Sequence, residues 1–153
     1  MPYLAMIDRL RAFFKQPTAT LVLCGYSFRD EHLNEVILQG LQGTQTAIAF
    51  ALLYLGIGSY PQAAKLARQR SNLSLLAKDG AVISSRDAQW PEKDAESIST
   101  DTIKWVNWIP VDSTKADGKR KAEFQLGDFA AFGQFVHELV GSSHQVLETP
   151  NAT

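Results

Sequence analysis

The sequence predicts an α/β fold in which helices flank a parallel sheet, and three observations lead to this expectation. Apolar residues recur at helical spacing in several segments of the chain. Short apolar runs lie between these segments and lack the alternation of a half-exposed strand, which indicates strands covered on both faces. The two patterns alternate along the first half of the chain, as they do in a doubly wound sheet.

The chain begins with the pattern helix, strand, helix. An apolar stripe with basic residues opposite predicts a helix over Tyr3–Lys15. The apolar run Thr20–Gly25 predicts a strand that is buried on both faces and stops at a glycine. A second helix is predicted from His32 to about Leu41, and both Asp30 and Ser27 are suitable N-caps for it.

A second strand and a third helix follow. The run Thr46–Leu55 again lacks alternation and predicts another buried strand. A helix is predicted from Gln62 to about Arg70, because Pro61 fits its first turn and Ser59 can cap it. This repeats the strand–helix order of the preceding segment.

The next segment predicts a hairpin and then a long polar stretch. Residues Leu73–Ala77 form the third predicted strand, and Asp79–Gly80 is a turn signal leading into another apolar run. From about residue 84 to 121 the chain is polar and predicts a loop-rich insertion without clear elements. Within it, the alternation of Ile103–Ile109 suits either an exposed edge strand or a packed surface segment.

A last helix is predicted near the carboxyl-terminal end. Asp128 is its expected N-cap and Gly141 its expected end. Four apolar side chains are spaced to form one buried face: Phe129, Phe132, Val136 and Leu139. We therefore expect one domain over residues 1–141 and a flexible tail over 142–153.

Composition excludes several classes of function. Apolar residues make up 45% of the chain and charged residues 20%, as in ordinary globular domains. The net charge of −1 gives no footprint for direct nucleic-acid binding or for an anionic membrane. The single cysteine, Cys24, excludes an internal disulfide, and no His, Cys or carboxylate group has metal-ligand spacing. We expect a cytoplasmic protein without a metal site.

Three tryptophans admit two readings. Trp90, Trp105 and Trp108 fall in or beside the polar stretch. They could line a base-stacking surface, but tryptophans in a domain of this size more often pack beneath a loop. The sequence favours the packing role.

The turn after the first strand is the primary candidate for a binding site. In open α/β sheets, ligands bind at the carboxyl ends of the strands. Gly25 lets a nucleotide approach the backbone, and Ser27 offers a hydroxyl that can donate and accept hydrogen bonds. The amino-terminal end of the following helix would favour phosphate. Alternatively, Ser27 and Asp30 only cap that helix.

These residues carry a resemblance to a known family. Residues Leu21–Asn34, LVLCGYSFRDEHLN, resemble the Gly-Tyr-Ser-Phe-x-Asp-x-His-Ile-Asn signature of SIR2-like, sirtuin-related domains of bacterial anti-phage defence proteins. The only departure is Leu33 in place of isoleucine. Residues Leu126–Leu139 are similar to the Gly-Asp-Phe-x-x-Phe-x-x-Phe helix that closes the same domains.

The resemblance implies a three-layer, Rossmann-like domain that binds NAD and, in active members, cleaves its nicotinamide–ribose bond. Gly25, Tyr26 and Ser27 correspond to the turn that contacts the cofactor. Seven positions are expected to be cofactor-binding, although Asp30, His32 and Asn34 could instead fix the loop on its helix: Gly25, Tyr26, Ser27, Phe28, Asp30, His32 and Asn34.

The resemblance covers only the carboxyl-terminal half of such a domain. The glycine-rich loop and the catalytic Asn and His of the family have no counterpart in this sequence, and Gly56–Gly58 is only a weak match to a phosphate loop. We therefore predict no catalytic residue in this chain and expect it to be inactive alone. Expected partners are a missing amino-terminal half or a homo- or hetero-oligomeric effector subunit. The alternatives are a non-catalytic binding or scaffold module, and a stand-alone domain that shares only the fold.

Overall fold

The computed structural model describes residues 2–44, 46–98, 104–115 and 118–145. Within them the chain forms a mixed α/β fold of four α-helices and eight strands. The helices are α1 (Pro2–Phe14), α2 (Glu31–Gly43), α3 (Pro61–Gln69) and α4 (Phe129–Gln145). The strands are β1 (Thr20–Cys24), β2 (Ile48–Leu52), β3 (Leu73–Ala77), β4 (Gly80–Ile83), β5 (Arg86–Gln89), β6 (Glu92–Asp94), β7 (Val106–Pro110) and β8 (Lys119–Phe124).

The larger sheet has five strands in the order β1-β2-β3-β4-β5. The first three strands are parallel, and β4 and β5 extend the sheet as antiparallel hairpins. The register places Leu23, Ala51 and Leu75 side by side. The predicted α/β fold is therefore confirmed, with a parallel arrangement limited to β1, β2 and β3.

The core lies between one face of this sheet and the helices. Residues of α2 and α3 belong to one buried cluster with β2 and β3, so both helices pack on the same face of the sheet, as expected for crossovers of the same hand between neighbouring parallel strands. There, alanines of β2 and α3 allow the helix and sheet backbones to approach closely, while leucines and isoleucines fill the remaining space. The buried cluster includes Ile37, Leu41, Ala49, Ala51, Ala63, Ala64, Ala67, Leu73 and Leu75.

The prediction that β1 is buried on both faces is wrong for the structure described here. β1 is an edge strand of the five-stranded sheet. Thr20 is exposed, and Val22 is 43% exposed. Ile48, on the neighbouring strand β2, is 38% exposed. An apolar run reports a preference for an apolar environment, but it does not show that this chain supplies the covering element.

The expectation of a stretch without clear elements between residues 84 and 121 is also wrong. β5 joins the larger sheet, and β6, β8 and β7 form a separate antiparallel sheet in that order. These strands were missed because they are short and rich in charge and contain no long apolar run. The predicted edge strand is confirmed as β7, although residue 103 lies outside the described residues.

The ends of α3 and α4 show how well local sequence signals predict where a helix begins and ends. Pro61 is at the first turn of α3, as expected, but Ser59 lies in the 3₁₀ turn Ile57–Ser59 and does not cap the helix. Asp128 caps α4 by accepting a hydrogen bond from the Ala131 N–H at 3.0 Å. α4 continues past Gly141 to Gln145, so the predicted end is wrong.

The predicted buried face of α4 is wrong as well. Phe129 is 74% exposed, and Val136 and Leu139 are also exposed, whereas Phe132 is partly buried. The start of the expected tail, residues 142–145, is helical, and residues 146–153 lie outside the described residues. Among the described helices, none has the length and apolar character needed to cross a bilayer.

Candidate functional site at the carboxyl ends of the parallel strands

The turn after β1 is built on a left-handed glycine. Gly25 has φ +74°, a conformation that residues with a Cβ adopt only with strain. A Cβ placed there would have no other atom within 4 Å, so the space in front of the Gly25 backbone is open. The turn therefore leaves the carboxyl end of β1 accessible to a ligand.

Three of the motif side chains lock the loop from within. Phe28 has φ +59° and is 1% exposed, and its carbonyl accepts a hydrogen bond of 2.8 Å from the Asn34 side-chain amide. The Tyr26 hydroxyl donates to Asn34 Oδ1 at 2.7 Å, and the Tyr26 and Phe28 rings lie 4.8 Å apart. Asn34 itself is 5% exposed. This network holds the loop in an otherwise unfavourable backbone conformation.

Asp30 fixes the loop to α2. Its carboxylate accepts hydrogen bonds from the Leu33 N–H at 3.0 Å and from the Tyr3 hydroxyl at 3.1 Å. The Leu33 N–H is the main reason that the pKa of Asp30 lies below its ordinary value. The alternative in which Asp30 caps the helix is thereby confirmed, and Ser27 is not the cap.

Ser27 and His32 point to different parts of the surface. Ser27 is exposed, and among the described residues its hydroxyl has no hydrogen-bond partner. His32 is exposed on α2 and lines a groove between α1 and α2 together with Tyr3 and Ile7. Of the seven residues expected to contact a cofactor, the structure leaves Gly25 and Ser27 open beside the strand ends, and the cofactor role of all seven stays a prediction.

The start of the second motif, Leu126–Asp128, contacts the ends of β1 and β2. The Cys24 thiol donates to the Leu126 carbonyl over 3.8 Å. Gly127 packs directly on the end of β2, where an added Cβ would come within 2.1 Å of the Leu53 carbonyl oxygen. Burial, and after it the carboxylate of Asp128, raises the pKa of the Cys24 thiol, which keeps it protonated at neutral pH.

A cavity of about 230 Å³ continues the site along the ends of β2 and β3. It offers an aromatic ring, an ammonium group, an amide and a carboxylate, which are groups that recognise a base, a phosphate and sugar hydroxyls. The lining residues are Tyr54, Leu55, Lys78, Phe124, Gln125, Gly127 and Asp128. Lys78 also pairs with Glu123 at 3.5 Å.

Sequence reasoning missed Tyr54, Lys78 and Gln125. The rule that selects the turn after β1 applies equally to Tyr54, because it follows the carboxyl end of β2. Lys78 follows β3 in the same way. Gln125 carries no such signal, since only the folded chain brings the segment before α4 to these strand ends.

Two other cavities, of about 320 Å³ each, adjoin one another between α1 and α2. One of them includes Tyr3 and His32 in its lining, next to the Asp30 cap, but neither cavity is lined by Gly25 or Ser27. In the described part of the chain, no group of three or more His, Cys, Asp or Glu side chains is arranged to hold a metal ion. The strand ends are therefore the better candidate for a binding site.

Comparisons with protein-family models and with curated proteins find no match to this chain. The resemblance to SIR2-like domains accordingly depends on its two motifs and on where the fold brings them.

Proposed function

We propose that this chain supplies the NAD-contacting part of a SIR2-like NAD hydrolase of bacterial anti-phage defence, acting in the cytoplasm. The observation that carries the proposal is the contact between the two motifs: the Leu126 carbonyl accepts a hydrogen bond from Cys24, the residue before Gly25, and Gly127 packs on Leu53 at the end of β2. Segments far apart in sequence thus form one surface at the place where open α/β sheets bind ligands.

In this proposal NAD lies along the strand ends. The backbone at Gly25 and the hydroxyl of Ser27 contact the dinucleotide on one side, and the cavity lined by Tyr54, Lys78 and Asp128 receives the remainder. The amino-terminal end of α2 contributes little to phosphate binding, because the Asp30 carboxylate already accepts its N–H groups and repels an anion. Ser27 and Lys78 are better placed to supply that recognition.

The bond-breaking groups are proposed to come from elsewhere. Cleavage of the nicotinamide–ribose bond needs a positioned proton acceptor beside the ribose. The only histidine in the motif, His32, faces the groove between α1 and α2. A missing half or a partner subunit would add the glycine-rich loop with catalytic Asn and His, pair with the edge of β1 and complete a three-layer, Rossmann-like domain.

A second candidate is a non-catalytic module that binds an effector subunit. The exposed edge of β1 favours it, because an unpaired edge strand is a ready site for strand addition. The two candidates differ in whether the assembled complex releases nicotinamide from NAD.

The first test is activity. The purified chain incubated with NAD should release no more nicotinamide than the Ser27→Ala variant, because the resemblance assigns the catalytic Asn and His to a segment that has no counterpart in this sequence. Release well above that control would place the catalytic machinery within this chain.

The second test is binding, followed by saturation-transfer NMR and by calorimetry at millimolar NAD. Ser27→Phe should abolish the NAD signal by filling the open space, whereas Ser71→Phe, at an exposed serine after α3, should leave it unchanged. Lys78→Gln should weaken binding about tenfold, the effect of losing one charge-assisted hydrogen bond. Equal binding by Ser27→Phe and Ser71→Phe, or no NAD signal from the unmodified chain, would refute the proposal.

A further inference from the structure

The small sheet carries an unusual pair of charges. Of the three residue pairs that join β6 to β8, Glu92 with Lys121 and Asp94 with Lys119 are of opposite charge. The third pair, Lys93 with Arg120, has two positive charges directly opposite each other. Like charges at directly opposite positions destabilise a sheet unless a group of opposite charge lies close to them. By the alternation of side chains, this pair lies on the opposite face from the other two.

A cavity of about 330 Å³ lies beside this pair. Its lining is apolar and aromatic apart from one amide and one guanidinium: Ala95, Ile98, Val106, Asn107, Trp108 and Arg120. Arg120 is partly buried, and among the described residues its guanidinium has no carboxylate partner. The Lys93 ammonium lies 5.5 Å from the centre of the Trp108 ring.

Trp108 is the tryptophan that faces this cavity, whereas the other two have structural contacts. Trp90 donates its indole N–H to the Ala77 carbonyl at 2.8 Å. Trp105 packs edge-on against Phe135, with ring centres 5.9 Å apart. The packing role that the sequence favours therefore describes Trp90 and Trp105, and Trp108 retains an aromatic surface next to two cations.

We propose that this cavity is a second ligand site, which binds a free nucleoside monophosphate. The base would lie against Trp108 and the apolar wall, and the phosphate between Lys93 and Arg120 would neutralise the like-charged pair. A guanidinium suits phosphate because it can donate two parallel hydrogen bonds. The cavity volume is near the lower end of the range for small-molecule sites, roughly 300 Å³. A nucleic-acid strand is the less favoured ligand, because the other two cations of β8, Lys119 and Lys121, lie on the opposite face of the sheet, across from the two carboxylates of β6, and do not extend the pair into a basic track.

The site does not depend on the proposed NAD site, because it uses none of its residues. The probe is GMP, which lacks the adenine of NAD, and the reporter is the indole N–H signal of Trp108 in ¹H–¹⁵N spectra, assigned by its loss in Trp108→Phe. GMP should shift this signal at submillimolar to millimolar concentration. Guanosine and ribose 5-phosphate should each produce a shift only at concentrations at least tenfold higher, since each lacks one half of the recognised group.

The matched variants are Arg120→Gln and Lys121→Gln, which remove one positive charge from adjacent positions on opposite faces of β8. Arg120→Gln should weaken GMP binding at least tenfold, whereas Lys121→Gln should change it less than twofold. Without ligand, the midpoint temperature of unfolding should fall for Lys121→Gln, which loses its pairing with Glu92, and should not fall for Arg120→Gln, which relieves a repulsion.

Lys93→Gln provides a second variant on the same face and should also weaken binding. No shift of the Trp108 signal with 10 mM GMP, or equal weakening by Arg120→Gln and Lys121→Gln, would overturn the proposal. Loss of GMP binding in Ser27→Phe together with retention in Arg120→Gln would also overturn it, since GMP would then occupy the strand-end site.

Discussion

The Asn34 side chain connects Tyr26 and Phe28 through hydrogen bonds that the spacing of the motif does not reveal. Its amide donates to the Phe28 carbonyl, and its oxygen accepts from the Tyr26 hydroxyl, all within a buried environment. Asn34→Ala would leave both groups without these bonds and should lower the free energy of unfolding by about 2 kcal/mol. Gln39→Ala, at an exposed position of the same helix, should change it by less than about 0.5 kcal/mol. Urea denaturation measures both values, and equal stability of the two variants would contradict the locking role.

Tyr26 adds a pH dependence to the same network. Burial, and after it the Asp30 carboxylate, raises the pKa of Tyr26 to about 12 from its ordinary 10.0. The folded state thus favours the neutral phenol, so the stabilisation is complete below pH 10 and is lost as the pH rises through 12. The stability difference between the unmodified chain and Tyr26→Phe should therefore shrink between pH 10 and 12. Tyr54→Phe gives the baseline for an exposed hydroxyl, and a difference that stays constant would show that Tyr26 is not protected.

The sequence selects the turn after β1 as the candidate site, but it does not show what each residue of the turn does. The glycine after an apolar run and the Asp30 cap can both be read from local signals, because each acts on the backbone within a few residues. The left-handed conformation of Phe28 cannot, since it is held by a hydrogen bond from Asn34 on the next element. The motif in this chain therefore combines residues that maintain the loop conformation, such as Asn34, with residues that the loop leaves exposed, such as Ser27.

At the scale of elements, the attachment of α4 depends on a glycine. Gly127→Ala would bring a methyl group to within 2.1 Å of the Leu53 carbonyl oxygen, which is fixed backbone. We expect a loss of at least about 2 kcal/mol in unfolding free energy and weaker hydrogen-exchange protection at the start of α4. Gly133→Ala, in the same helix with no other atom within 4 Å, should instead stabilise by about 0.5–1 kcal/mol. The same sign for both variants would show that the contact with β2 does not anchor the helix.

The elements that sequence reasoning identified are those stabilised locally or by apolar burial. α2, α3 and β3 were expected within two residues of their ends, because apolar periodicity, Pro61 and Asp30 act nearby. β8 was missed because its charged side chains conceal a strand whose stability comes from hydrogen bonds to β6 and β7 on both sides. For α4, the period predicts a helix correctly, but the period cannot show that Phe129 faces solvent.

At the scale of the whole molecule, several apolar surfaces are uncovered on the described chain. Each lies on a helix or strand that has exposed as well as buried or partly buried apolar side chains. The exposed apolar side chains are Val22 and Ile48 on the open sheet face, Leu4 and Met6 on α1, and Phe129, Val136 and Val140 on α4. A folded chain with such surfaces is poised to associate.

The edge of β1 makes that association specific. The Ile48 N–H donates a hydrogen bond to the Ala19 carbonyl at 2.9 Å. Because every second residue of a strand bonds to a given parallel neighbour, the backbone groups of Leu21 and Leu23 bond to β2. The backbone N–H and C=O groups of Thr20 and Val22 then point away from the sheet. Thr20–Cys24 contains no charge and no proline, the residues that protect natural edges. We therefore predict that the chain does not behave as a well-ordered monomer: light scattering after size exclusion should show a mass that rises with protein concentration.

Val22→Lys should suppress this rise, because a charge on an edge strand opposes strand addition. Val111→Lys adds the same charge at an exposed valine outside β1 and should leave the rise unchanged. Amide exchange locates the contact: the Leu21 and Leu23 amides should be protected at every concentration, and the outward Val22 amide only where the mass is high. A monodisperse monomer at high concentration, with strong protection throughout Leu21–Cys24, would contradict strand addition and favour a self-contained fold.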